Sequence, residues 1–338
     1  MSGRDKKVTI RDVAAMAGVS ISTVSRYLEN PKNVRPLTAY NIKNAIRELN
    51  YEPNVFAQSL KRGYSKTIGI IIPHTEFFFG DVCSIVSDYF YERGYVTFIC
   101  RSDNDGEKER FIVRELLNQG VAGLIITPSG QNTAYLRSIA RNYKNMVLFD
   151  RYHDIGCDAV ITGDYDQIAY KLASFAVKKF ECRPLYTMSG FEQASSSQMV
   201  ARGTERAFQE AGRDISELHQ IFNCGVIDNV DNTIRRIRED LKKGKHPAII
   251  FYGANFLESA IMLMNKYDRK LIHQVDMAGF AEQETKNKLG VSIPCIIRDF
   301  RKIGITLSEH LYKKITGKIH SNGETKICVP PVYYLDNN

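Results

Sequence analysis

A chain of 338 residues, 43% hydrophobic and 25% charged, is long enough for two or three folded domains and has an ordinary globular composition, which excludes disordered, fibrous and low-complexity classes. The polar start Met1–Lys7 and the lack of any run of about 18 apolar residues argue against a secreted or membrane-spanning chain. Seven scattered cysteines with no CxxC pair argue against a disulfide framework or zinc site and read as thiols of a reducing cytoplasm. The net charge of +8 is unevenly spread: residues 1–62 hold eleven Lys or Arg against five acids, a surplus of +6. Such concentration in a small terminal module suits a polyanionic partner, because neutralised phosphates release counterions; a solvated basic face is the competing reading.

In chain order, Thr9 and Asp12 form a variant capping box ahead of Ile10, Val13, Ala14 and Ala17 at helical spacing. Gly18 can take the left-handed turn that ends this helix, and Ser20 can cap the next, about Ile21 to Leu28. That second helix buries Val24 and Leu28 and presents Ile21, Ser22, Ser25 and Arg26 outward. Pro36 suits the first turn of a third helix, whose stripe Ile42, Ala45, Ile46, Leu49 closes a three-helix core. The tight glycine turn between the first two helices predicts a helix-turn-helix unit over residues 1–52, although a plain helical bundle fits the same spacing. Residues 53–65 form a linker in which Asn54 to Lys61 is too short for a stable isolated helix, since about 12 to 15 residues are needed.

From Lys66 onward strands and helices alternate. Strands are predicted at Thr67–Pro73, Tyr95–Arg101, Gly123–Pro128, Asn145–Arg151, Pro184–Ser189, Gln220–Cys224, Ala248–Tyr252 and Gln274–Gly279. Helices are predicted at Asp81–Arg93, Glu107–Gln119, Thr133–Tyr143, Tyr165–Lys179, Val200–Ala211, Asn232–Lys243 and Glu258–Tyr267. This pattern predicts an α/β core of two doubly wound parallel sheets in series. Ligands in such sheets bind beyond the carboxyl ends of the strands, so the segments following each strand are the ones to inspect.

The stretches VTIRDVAAMAGVSISTVSRYLEN, LNYEPNVFAQSLKRG and KTIGIIIP resemble the lac repressor (LacI/GalR) family of bacterial transcriptional regulators, and the general layout extends over essentially the whole chain. The resemblance implies a helix-turn-helix domain joined to a periplasmic-binding-protein-like core at 66–338. It divides that core into an N-subdomain of 66–164 with 296–323 and a C-subdomain of 165–295 with 324–338. The family's base-reading positions fall on Ile21, Ser22 and Arg26, with Thr9, Ser20, Thr23 and Ser25 as phosphate anchors. Asn54 to Lys61 would become a hinge helix on DNA that drives Leu60, flanked by Ala57 and Lys61, into the minor groove; an ordinary linker leucine is the alternative.

For the core, the resemblance implies an effector pocket touched by Phe78, Phe79, Asp150, Ser196, Asn255 and Phe280, with Asp150 alternatively a cap or hinge residue. Two family charges are missing: the usual arginine falls on Val200, with Arg202 two positions away, and the usual aspartate on Ala281, beside Glu282. An unusual effector, substitution by Arg202 and Glu282, or control by a protein corepressor would each account for this. No GxSxG, P-loop, strand-linked GxGxxG or metal cluster is present, so no catalysis and no cofactor are expected. A transport-type solute binder fits the core alone but not the fused DNA-reading module. The expected protein is a cytoplasmic repressor, a homodimer on a pseudo-palindromic double-stranded operator, tuned by a sugar-like molecule and independent of any membrane. The C-terminal residues show no apolar heptad tail of the kind that would build a tetramer.

Overall fold

The computed structural model describes residues 8–51, 65–75, 77–161, 163–180, 184–281, 293–319 and 325–335. The chain divides into two compact units, Met1–Ser65 and Lys66–Asn338. Asn54, Ala57, Leu60, Lys61 and Glu282, all singled out from sequence, lie outside the described residues.

The first unit holds α1 (Ile10–Ala17), α2 (Ile21–Glu29) and α3 (Pro36–Glu48). Asp12 Oδ2 accepts the Thr9 backbone N–H at 2.8 Å and the Thr9 hydroxyl at 2.7 Å, fixing the entry into α1. Gly18 sits at φ 67°, so the chain turns sharply where a Cβ would be strained. Ser20 Oγ then accepts the Thr23 N–H at 3.2 Å and starts α2. Val13, Val24 and Ile42 are fully buried and meet Ala14, Ala17, Ala45 and Tyr51 at the centre. Each buried Val or Ile contributes about 1.5–3 kcal/mol, which is how so small a unit holds three helices together.

The second unit opens with β1 (Thr67–Ile72), α4 (Phe77–Tyr91), β2 (Val96–Arg101), α5 (Gly106–Asn118), β3 (Gly123–Ile126), α6 (Thr133–Asn142), β4 (Met146–Phe149) and β5 (Asp158–Ile161). It continues with α7 (Tyr165–Phe180), β6 (Leu185–Met188), α8 (Ser195–Glu210), β7 (Leu218–Ile221), α9 (Ile227–Lys242), β8 (Ala248–Phe251), α10 (Ala254–Tyr267) and β9 (Asp276–Ala281). It ends with β10 (Cys295–Ile297), α11 (Phe300–Ile315), β11 (Lys326–Cys328) and β12 (Val332–Tyr334). Two six-stranded sheets result, ordered β11-β5-β4-β3-β1-β2 and β12-β10-β9-β8-β6-β7. All ladders are parallel except β10 with β12. Ile68, Ile70, Ile71 and Ile72 are at most 1% exposed, as a strand covered by helices on both faces requires.

The chain passes between the sheets after β5, after β10 and after β11. The second and third passages differ from the sequence expectation, which put 296 onward in the first subdomain and 324 onward in the second. Cys295–Ile297 instead runs beside β9, with Cys295 paired to Gly279. Lys326–Cys328 lies beside β5, and only Val332–Tyr334 returns to the second sheet. A buried ionic cluster holds the returning segment: Asp158 Oδ2 accepts Lys314 Nζ at 2.7 Å and lies 2.9 Å from His310 Nε2, while Oδ1 accepts the Thr325 N–H at 3.1 Å. A carboxylate that is 0% exposed is tolerated there because it meets partners from both α11 and the approach to β11.

Candidate nucleic-acid interface and ligand cavity

On α2, the one fully buried side chain is Val24, and the opposite face presents Ile21, Ser22 and Arg26 to solvent. Helical spacing produces this split, since positions 21, 22, 25 and 26 share a face turned away from 24 and 28. Ile21 is 45% exposed, which is costly for an isoleucine in water and apt for contact with a thymine methyl. Arg26 is exposed and lies back along its own helix, its Nε 3.5 Å from the Ser22 carbonyl, a weak contact that a base edge or phosphate can displace. Ser20 Oγ sits 2.8 Å from both Ser22 Oγ and Thr23 Oγ1, a hydroxyl cluster of the kind that binds phosphate oxygens. Thr9 is exposed beside the α1 entry and Ser25 is half-buried.

In the second unit a cavity of about 720 Å³ lies at the carboxyl ends of both sheets. That size suits a small metabolite. The first sheet and its helices supply His74, Phe78, Phe79, Asp103, Asn104, Asp150 and Arg151. The second supplies Ser196, Ser197, Val200, Asn223, Tyr252, Asn255, Phe280 and Arg298, among others. Phe78 and Phe79 meet edge to face at 5.4 Å, and both lean on Phe149 at 5.5 and 5.7 Å, forming a rigid apolar wall. Arg298 spans the two subdomains, its guanidinium 3.9 Å from the Phe78 ring centre and 4.8 Å from that of Phe280.

Polar groups around the wall are held in unusual backbone shapes. Asp103, Asn104, Asp150 and Asn223 all line the cavity at positive φ, between 56° and 65°. Asp and Asn tolerate this region better than other L residues, and such strain concentrates where groups must be aimed at a ligand. Asp150 is 6% exposed and accepts a short hydrogen bond from the Tyr165 hydroxyl, so the first subdomain grips the start of α7. Arg151 is 6% exposed, and burial lowers its pKa while the nearby Asp150, Tyr165 and Glu109 oppose that shift.

Residues 9–54 match the bacterial regulatory proteins of the lacI family, and residues 65–327 match the periplasmic binding proteins and sugar binding domain of the same family. The chain belongs to the lacI family. It is 29% identical over 316 residues to the HTH-type transcriptional regulator KdgR of Bacillus subtilis (strain 168), covering 91% of each chain. It is 26% identical over 318 residues to the HTH-type transcriptional repressor PurR of Aliivibrio fischeri (strain MJ11), covering 92% of this chain and 93% of that one. Its fold superposes on a lac repressor dimer bound to operator and the anti-inducer ONPF with a TM-score of 0.79 at 20% identity, covering 97% and 98% of the two chains. A CelR–cellobiose complex gives 0.65 at 18%, covering 98% and 100%. The protein is therefore a DNA-binding transcriptional regulator with a ligand-binding core, and not an enzyme. Among the described residues no cluster could hold a metal ion, and no helix is long and apolar enough to cross a membrane.

Within this lacI-family frame, Phe78, Phe79, Asp150, Ser196, Asn255 and Phe280 are brought together on one cavity. Arg202 is not. It is exposed on α8, because a residue two positions from cavity-lining Val200 points to the other side of the helix. Arg202 therefore does not replace the cation lost at Val200. Among the described residues the cavity's guanidinium groups are those of Arg151 and Arg298, neither named from sequence as an effector contact. Arg298 directly follows β10, a three-residue strand with too little pattern to recognise; with that strand known, the rule of inspecting residues after each strand finds it.

Proposed function

We propose that this regulator represses transcription in the cytoplasm by docking as a dimer on a pseudo-palindromic operator, and that a small molecule in the inter-subdomain cavity changes its grip on DNA. The observation that carries the reading is a cleft walled by both sheets in a chain that also carries an exposed second helix in its helix-turn-helix unit. A ligand touching both walls binds one subdomain arrangement better than another, which is the differential affinity that any switch requires. One helix-turn-helix reads only a half-site, so a two-fold pair is the economical way to read a full operator. The apolar edge formed by Tyr91 (79% exposed), Val96 (60%), Phe98 (46%) and Ile99 (43%) supports pairing. Ile21, Ser22 and Arg26 are the base readers in this proposal, with Thr9, Ser20, Thr23 and Ser25 on phosphates.

Genome-wide mapping of bound fragments, followed by fluorescence titration of one such fragment against random duplex at moderate salt, tests the reading. The expected result is preferential binding to two half-sites related by a dyad, with a midpoint that shifts when cavity ligands are added. Equal affinity for random duplex would overturn it.

A further inference from the structure

Arg151 sets a chemical requirement on whatever fills the cavity. Its Nη1 donates to Asn104 Oδ1 at 2.7 Å and to the Pro128 carbonyl at 3.2 Å, and its buried Nε has no hydrogen-bond partner. The two carboxylates that act on it through space are otherwise engaged: Asp150 by the Tyr165 hydroxyl, and Glu109 by the Ser129 N–H at 2.6 Å and by Asn132 Nδ2 at 3.1 Å. Among the described residues neither forms an ion pair with Arg151. A guanidinium stays charged at neutral pH, and a buried charge with only neutral acceptors carries a desolvation cost that a matching anion offsets.

The lining also carries two carboxylates, Asp103 and Asp150, and both are already engaged by neighbouring groups. Asp103 is ion-paired with Arg101 at 2.7 Å and with Lys108, which offset its charge. Arg298, a second guanidinium, lies 3.9 Å from the Phe78 ring centre and 4.8 Å from that of Phe280, which brings a second positive charge to the same wall. The first turns of α8 and α10 reach the cavity through Ser196 and Asn255, bringing the positive ends of two helix dipoles.

We propose that the cavity selects a small polyhydroxylated anion, its carboxylate or phosphate held by Arg151 and Arg298. Its hydroxyls are taken by Asp150, Ser196 and Asn255, and its carbon skeleton lies on Phe78 and Phe79. This rests on the reading of the cavity as the effector site, and names the class of effector.

Calorimetric titration of the full chain at fixed ionic strength with hexonates and hexuronates, with hexose phosphates, and with the parent neutral hexoses tests it. The expected outcome is that one anionic set binds at least tenfold tighter than the neutral hexoses, the responding set telling carboxylate from phosphate. Arg151→Met should then erase at least tenfold of that preference while moving a neutral hexose by less than threefold. Arg298→Gln, on a half-buried side chain, gives the same readout should Arg151→Met fail to fold. Neutral hexoses binding as tightly as both anionic sets, or a preference unmoved by either variant, would overturn the anion proposal and leave the effector reading standing. Silence from all three sets, with operator affinity unmoved by any of them, would overturn both.

Discussion

Arg26 is the side chain on which DNA reading is most exposed to test. Its guanidinium is the only long cationic fork among the outward residues of α2, and a fork can meet a guanine edge bidentately in the major groove. Arg26→Ala should weaken operator binding by about 1–3 kcal/mol and relax discrimination at one base position, read by titrating a set of single-base operator variants. A uniform loss across all duplexes would assign it to phosphate instead. Asp150 allows a different kind of argument, because its backbone sits at φ 65° while its side chain serves Tyr165. Asn tolerates that conformation and Ala does not, the left-handed region costing an ordinary residue about 1–2 kcal/mol. Asp150→Ala should therefore unfold at lower urea than Asp150→Asn by roughly that margin, although both remove the carboxylate. Equal midpoints would mean that the backbone strain contributes nothing.

At the level of elements, the packing of α7 on α8 depends on Gly203. A Cβ built there would lie 2.1 Å from the Asp166 carbonyl oxygen, a backbone atom that cannot swing aside. Gly203→Ala should push the helices apart and cost at least the 1–3 kcal/mol typical of overpacking, measured by denaturant midpoint, with a further loss of ligand response because α8 carries Ser196 into the cavity. Helices α8, α9 and α10 show what a sequence reveals and what it hides. Their buried stripes, such as Val230, Ile234 and Ile237 in α9, have the 3.6-residue period that marks a helix, so the alternation of strands and helices was legible. Their starts were not. The pattern places them at Val200, Asn232 and Glu258, whereas the helices begin at Ser195, Ile227 and Ala254. First turns such as Ser195–Ser197 carry small polar residues that break the apolar period because they face the cavity, so ligand-facing residues are the ones periodicity omits. The strands β10, β11 and β12, three residues each, are set by pairing with distant partners, and no local signal marks them. That is why periodicity misplaces the later passages between sheets and omits Arg298.

For the molecule as a whole, the outstanding physical problem is the free edge at β2. The first sheet ends there, and the strand exposes Val96, Phe98 and Ile99 beside the 79% exposed Tyr91 of α4. An apolar edge strand is a template for unwanted pairing unless something covers it, and a two-fold partner presenting the same patch covers it with closed symmetry. In the proposed dimer, such pairing would also set the affinity for DNA. Once one half-site is bound, the second helix-turn-helix searches at a high effective concentration, so joining two modest contacts can raise overall affinity by about 10²–10⁴. Phe98→Glu places a charge in the middle of the patch, where burying it against a second copy carries a desolvation penalty. The side chain is 46% exposed, so the isolated fold loses little by the change. The expected outcome is a shift from dimer to monomer in sedimentation velocity with the melting temperature of the monomeric fold preserved. Affinity for a full operator should fall by about two orders of magnitude, while affinity for a single half-site stays constant. A variant that remains dimeric, or one that loses half-site binding equally, would place the pairing surface elsewhere.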